Sequence, residues 1–395
     1  ANESFFENTD WLDLLKVRVS WGKSADVGGI SPGLGNYYFT SGGGYAFGNT
    51  NTSTGGLKEG RLPISRLDIE TSTKYNIGVD FRLWKNFTAT AEFYHDRRTD
   101  ILRPNNLVSG MLGISSPQSN VGEIQMHGVE LSAGWSQRHK DFSYYINANW
   151  AFNDSEIVEY GEAYQPYDYL YKKGKKVDQL FGLEAIGYFR DDEDILKSPE
   201  QTFSTVRPGD VKYKDQNNDK KIDSYDFVPI GKSTSVPEMV FGLNLGFEYK
   251  GFGVDMTFNG VSGITKLLNV SNVHQPLRNG NTNIATWYLK DKIRWTENTK
   301  DIANVPRLST LSNSNNYQTS TQWMEDGSFF KLRNLKVHYT LPTKWTDKMR
   351  MDKLQLYVKA LNVFSIDKIK YFNCESLSLG YPDLFSLYLG VNINF

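Results

Sequence analysis

The chain has 395 residues, with 44 Lys and Arg against 45 Asp and Glu, and a formal net charge of −1. So even a balance argues against a nucleic-acid partner or a polybasic membrane-surface role, and a single cysteine, Cys374, excludes a disulfide scaffold or a cysteine-based zinc cluster. No run approaches the roughly 18 uncharged apolar residues of a membrane-spanning helix, and Ala1-Asn2-Glu3-Ser4 lacks the basic-then-apolar pattern of a signal peptide. The length allows two or three ordinary domains or one large β structure. Aromatic residues at 14%, with 34 glycines and a negative mean hydropathy, favour the second: strands with aromatic belts and long polar loops.

Strict alternation recurs along the chain in segments of roughly ten residues, the strand signature, and no segment shows a sustained helical period. A weaker strand is predicted near 16–24. In 74–84, Tyr75, Ile77, Val79, Phe81 and Leu83 share one face, opposite Asn76, Gly78, Asp80 and Arg82. Segments 87–97, 126–136 and 142–153 repeat the pattern, as do 239–249 and 252–261. Segments 330–341, 353–364 and 385–395 complete ten predicted strands.

The connections alternate as regularly as the strands. Lys85-Asn86, Gln137–Asp141 and Lys250-Gly251 are short turns, and the link after 341 is slightly longer. Between the hairpins lie long Gly/Asn/Ser-rich loops, at about 25–73, 98–125, 154–238, 262–329 and 365–383. Soluble domains rarely carry several loops of that size. Short turns at one end and long loops at the other is the layout of an antiparallel transmembrane β-barrel in an outer membrane, with the short turns periplasmic. Aromatics beside the short turns (Trp84 and Phe87, Trp135 and Phe142, Tyr249 and Phe252, Tyr339 and Trp345) suit a headgroup girdle. A β-sandwich would give the same alternation, but not the loop asymmetry.

Several ordered motifs resemble the C-terminal barrel portion of SusC/RagA-type TonB-dependent outer-membrane transporters of Bacteroidetes. They are Trp11-Leu12-Asp13-Leu14-Leu15-Lys16-Val17-Arg18-Val19-Ser20-Trp21-Gly22, the run Glu70–Asp80, and Asn120-Val121-Gly122-Glu123-Ile124-Gln125-Met126-His127-Gly128-Val129-Glu130-Leu131. Further along come Gly209-Asp210-Val211-Lys212-Tyr213-Lys214-Asp215, Phe329-Phe330-Lys331-Leu332-Arg333-Asn334-Leu335, Tyr357–Phe364, and Tyr381-Pro382 ahead of the terminal Phe395. Each is weak alone; in this order over the whole chain they are specific. The resemblance implies that residues 1–395 form about ten strands of a barrel of about 22, with the plug domain and TonB box not visible in this sequence. Lumen-side glycines (Gly78, Gly128, Gly134, Gly242, Gly246) also argue for part of a wide barrel. It further implies a SusD-like surface lipoprotein as a lid, TonB as the energy-coupling partner, and outer-membrane lipid around the wall.

The long loop 154–238 holds the sharpest local motif, an EF-hand-like segment at 215–226. Asp215, Asn217, Asp219, Asp223 and Asp226 fall at positions 1, 3, 5, 9 and 12, and Lys221 can offer its carbonyl at position 7. These hard oxygen donors suit a structural Ca²⁺, although Lys220 replaces the usual glycine and Asp226 the bidentate glutamate. A solvated acidic turn would look the same. Tyr160, Tyr164, Tyr167, Tyr169 and Tyr171, with Trp287, Trp295 and Trp323, offer rings that can stack on sugars or contact peptides. They can equally pack the loops or meet a partner lid.

Catalytic patterns are not seen. His95, His127, His139, His274 and His338 are scattered, Asp191-Asp192-Glu193-Asp194 suits a solvated loop, and Gly42-Gly43-Gly44 lacks the context of a phosphate loop. The expected function is TonB-dependent import of oligomeric nutrients, glycans or peptides, rather than enzymatic chemistry. A passive pore or adhesin, and a secreted glycan-binding module, remain the alternatives.

Overall fold

The computed structural model describes residues 11–31, 33–46, 53–64, 66–106, 111, 113–270, 273–278, 284–370, 372–376 and 383–395. Ten strands form one antiparallel sheet in which every strand pairs with its neighbour in sequence. They are β1 (Leu12–Asp26), β2 (Glu70–Leu83), β3 (Phe87–Pro104), β4 (Gln118–His139) and β5 (Phe142–Glu159), followed by β6 (Met239–Tyr249), β7 (Phe252–Ser262), β8 (Phe329–Thr340), β9 (Lys353–Asp367) and β10 (Ser386–Asn394). β1 and β10 are the two edges of the sheet.

The short-turn ends lie where the sequence puts them. Trp84 and Lys85 (φ 50° and 63°), Lys140 (φ 50°), and Lys250 with Gly251 (φ 49° and 86°) turn in the left-handed region, the twist that tight hairpins need. The second turn is tighter than Gln137–Asp141, because β4 continues to His139. The link 341–352 holds a helical turn, Thr343–Thr346, and a 3₁₀ turn, Asp347–Met349.

At the other end the strands outrun their alternation. β3 reaches Pro104, β4 starts at Gln118 and β5 ends at Glu159, so loops placed at 98–125 and 154–238 shrink to 105–117 and 160–238. Alternation fades there while pairing persists, because these strand ends face water and loops rather than lipid. Their side chains are instead tied by charge, as in the Arg97–Glu123 pair at 2.6 Å.

Register carries the apolar residues into continuous rows. Val19 opposes Ile77, Ile77 opposes Phe93, and Phe93 opposes Val129. A one-residue slip would send such a row to the other face. This face is bare: Val17, Val19, Ile77, Leu131, Ile146 and Leu389 are all exposed. The opposite face is polar. There Arg18 pairs with Asp80 (2.9 Å) and Glu92 (2.5 Å), and the Tyr145 hydroxyl donates to Asp255 (2.9 Å). Glycines on that face lie beneath large side chains, Gly128 under Tyr94 and Gly246 under Tyr145. At the short-turn end, Trp84, Phe87 and Trp135 lie 6.2–6.5 Å apart ring to ring, a belt whose Trp84 stays exposed.

Candidate functional site at the long-loop end

The long loops read as open polar chain, yet the first carries a hairpin, Phe39–Ala46 with Ser53–Glu59, and 160–238 and 262–329 fold together. Leu183, Val211, Tyr213 and Ile222 form a buried core, flanked by Ala185, Tyr188, Phe203 and Phe227. Short strands support it: Ala185–Tyr188 pairs with Val211–Tyr213, and Phe181–Gly182 with Val228–Pro229. Burial pushes the Tyr188 hydroxyl up to about 12 and the Tyr213 hydroxyl higher still.

The loop 262–329 locks onto this core through buried polar groups. Asp210, fully buried, accepts from Asn313 (2.8 Å), Asn316 (2.9 Å) and the Arg207 amide (2.8 Å), and pairs with Arg307 at 2.8 Å. Asn315 donates to the Val211 carbonyl (2.9 Å), while Gln201 donates to the same carbonyl and to Asn315 (both 2.8 Å). A buried carboxylate is tolerated because each oxygen is paired. Gly209-Asp210-Val211-Lys212-Tyr213 thus supplies both the ionic clasp and two core residues.

Where this body meets the outer ends of β2–β5 there is a cavity of about 430 Å³. Its walls mix charges: Arg98, Arg103 and Lys172 with Glu123, Glu159 and Asp178. Tyr160 is the centre of its cationic side, with the Arg103 guanidinium 3.7 Å and the Lys172 ammonium 4.9 Å from the ring centroid. Lys176 ties the wall to the sheet through Glu238 (2.6 Å) and Asp154 (2.9 Å). Burial disfavours the Lys176 charge, but these two bonds outweigh it and hold its pKa above the ordinary value.

The expected tyrosine cluster is divided. Tyr160 lines the cavity, and Tyr164 is exposed. Tyr167 and Tyr169 stack on each other at 5.4 Å and pack on the 215–226 loop, where the Tyr169 hydroxyl donates to the Tyr225 carbonyl (2.8 Å). Burial, followed by the charge of Asp226, raises the Tyr169 hydroxyl to about 12. Tyr171 closes its own loop by accepting from the Gln165 amide (2.9 Å). Trp323 is buried and donates to the Asn316 carbonyl (2.6 Å), so it holds the loops together and offers no free stacking face. Trp287 belongs to the short helix Thr286–Asp291, but its side chain lies outside the described residues, as does Tyr381-Pro382. Trp295 is half-buried with its ring against Gly209; among the described rings, Tyr160 lines the cavity and Tyr164 stands exposed at the outer end. Sequence reading missed Arg103 and Lys172: Lys172 directly follows the tyrosine-rich stretch, but Arg103 comes from the far end of β3 and carried no local signal.

Segment 215–226 folds around its own amides. Asp215 accepts from the Asn218 (2.7 Å) and Lys220 (2.8 Å) amides, Asp219 from Lys221 (2.8 Å), and Asp226 from Gln216 (2.8 Å) and Asp223 (2.9 Å). Lys220 takes φ 67°, the conformation that glycine usually supplies at that loop position. The donors are chemically right for calcium. As placed, the carboxylate oxygens accept from the loop's own amides, and among the described residues no three Asp, Glu, His or Cys side chains gather as a metal centre.

An open antiparallel meander with one exposed apolar face, an aromatic belt and a folded outer body defines a wall segment of an outer-membrane β-barrel. The family model "TonB dependent receptor-like, beta-barrel" matches residues 6–363, and the chain belongs to that family of outer-membrane receptors and transporters. Two curated relatives from Formosa agariphila, TonB-dependent receptors P39 and P26, are 23% and 24% identical over the whole of this chain. The solved RagAB peptide transporter superposes with a TM-score of 0.72 at 22% identity, over 99% of this chain and 42% of that one. RagAB in its open-open state gives a TM-score of 0.71. The chain spans about two fifths of the length of these curated relatives, at 42% and 41%.

Proposed function

We propose that this chain is the wall and outer vestibule of a transporter that imports oligomeric nutrients with energy from TonB, and that a SusD-like lipoprotein closes over its folded outer loops. The observation that carries this reading is the mixed-charge cavity between the outer ends of β2–β5 and the loop body. A passive pore needs only a lining, whereas paired cations and acids around Tyr160 recognise a ligand that carries charge and hydrogen-bonding groups. Peptides fit that description better than neutral glycans do, and the RagAB structures are described as a peptide importer. Exposed Tyr164 is the feature that favours glycan stacking.

Isothermal titration of the full-length protein with mixed peptides and with neutral oligosaccharides tests the substrate class. Peptide binding that weakens about tenfold in Arg103→Ala is expected; oligosaccharide binding insensitive to that change overturns the peptide reading. Uptake that persists without TonB would overturn active import. Calcium at 215–226 is a separate proposal, supported by the donor spacing and by the left-handed Lys220.

A further inference from the structure

The outward face carries a second cavity, away from the loop body and near the short turns. It is an apolar groove of about 470 Å³ whose walls include Phe252, Val337, Tyr339, Leu356, Leu389 and Val391. Register places these side chains in two adjacent rows toward the turn end, one row in from the Leu354–Ile393 pair: Phe252 opposes Tyr339, Tyr339 opposes Leu356, and Leu356 opposes Val391.

The link 341–352 is seated at the foot of this groove. The Leu341 amide donates to the Leu354 carbonyl (2.9 Å), and the Asp352 amide to the Asn394 carbonyl (2.8 Å). The link and the start of β9 carry Lys344, Lys348, Arg350 and Lys353 against Asp347 and Asp352, and Lys250 stands on the neighbouring turn. All five cations are exposed, and none forms an ion pair among the described residues; Lys250 lies 5.3 Å from the Tyr249 ring centroid. Among the described residues, Glu248 and Asp141 are the acids beside the Lys250 turn, where the Asp141 carbonyl accepts from the Lys250 amide (3.1 Å). Trp345 and Met349 are exposed between the cations.

We infer that this groove and its cationic foot bind one anionic glycerophospholipid of the inner leaflet. The acyl chains lie in the apolar groove, and the phosphate with its anionic headgroup meets Lys344, Lys348 and Arg350. Apolar walls alone would accept any lipid; the unpaired cations at headgroup level are what select charge. The inference depends on the outer-membrane setting and not on the nature of the imported substrate.

The test uses the full-length transporter, delipidated in mild detergent and offered phosphatidylglycerol, phosphatidylethanolamine of the same chain length, or lipid A, with retained lipid counted by native mass spectrometry. Wild type is expected to retain phosphatidylglycerol about tenfold over phosphatidylethanolamine. The Lys344→Gln, Lys348→Gln, Arg350→Gln triple variant should abolish that preference, and Val391→Trp should lower retention of both glycerophospholipids. If the triple variant does not fold, the three single variants replace it, each lowering the preference severalfold. Equal retention of the two phospholipids by wild type, preference for lipid A, or an unchanged preference in the charge variants overturns the inference.

Discussion

The sheet and the outer body use the same residue types in opposite ways. On the sheet, Val17, Ile77, Leu131 and Leu389 are exposed, while Arg18, Asp80 and Glu92 pair on the other face. In the outer body, Leu183, Val211 and Ile222 are buried, and with them Asp210, Asn315 and Asn316. The difference follows from the solvent each region meets. Lipid removes the need to hide apolar side chains, so the sheet is held by its backbone ladder and by register. Water restores that need, and the loops are too polar to meet it with hydrocarbon alone. They add a buried hydrogen-bond network in which each amide has a partner.

The comparison predicts that the two regions fail separately, and the largest effect belongs to the buried clasp. Asp210→Ala leaves Arg307, Asn313 and Asn316 facing one another without the carboxylate, a loss of about 3–5 kcal/mol. Limited proteolysis of the full-length protein should cut within 160–238 and 262–329, while the heat-dependent gel shift of the barrel stays. Loss of that shift together with the loops would show that the regions are one cooperative unit.

Next comes a charge on the bare face. Leu131→Arg near the middle of β4 is expected to cost about 2–4 kcal/mol in urea-induced unfolding from liposomes, the midplane penalty for a lipid-facing cation. Its neighbour Ser132 points to the polar face, so Ser132→Arg should cost about 0.5 kcal/mol or less. Equal effects at the two positions would contradict the assignment of lipid to the apolar face.

A smaller effect is expected at the hairpin between β6 and β7. Gly251 has φ 86°, and a Cβ there would sit 2.3 Å from the Thr340 carbonyl oxygen. Gly251→Ala should therefore destabilise the barrel by about 1–3 kcal/mol in the same unfolding assay, while leaving the loop proteolysis pattern unchanged.

The sheet was legible because one physical condition, lipid on one face and polar lumen on the other, writes a period of two into every strand. The strand ends were not, because at Arg97, Arg98 and Glu123 both faces are wet and the alternation lapses while the ladder continues. The outer body was legible only as motifs. Gly209–Asp215 could be recognised, but Asn313, Asn315, Asn316 and Gln201 read as solvated loop; composition does not distinguish an amide in water from one paired inside a core. The tyrosines show the same limit. Spacing grouped Tyr160 to Tyr171 as one surface, whereas Tyr160 faces the cavity, Tyr167 and Tyr169 pack on the acidic loop, and Tyr171 closes a turn.

The acidic loop gives the smallest and most conditional effect. Burial, reinforced by the charges of Asp215 and Asp223, raises the Asp226 carboxyl above its ordinary range. A folded pKa above the unfolded one favours folding below the unfolded value, and that contribution is lost as pH rises through the folded value. Glu238 runs the other way. Burial opposes its charge, but bonds from Lys176 and Lys232 outweigh that and lower its pKa, so its contribution is lost as pH falls. At neutral pH with chelator present, Asp226→Asn removes the buried charge but sets an NH2 donor against one of the two backbone amides that the carboxylate accepts, so the loop should lose about 0.5–1 kcal/mol. Calcium at ten times its dissociation constant should add about 1.4 kcal/mol to the wild-type loop and nothing to Asp226→Asn. The readout is hydrogen exchange of the 215–226 amides in the full-length protein. Identical protection in wild type with and without calcium would leave this loop as a self-capped turn, held by the same water-side polar satisfaction as the rest of the outer body.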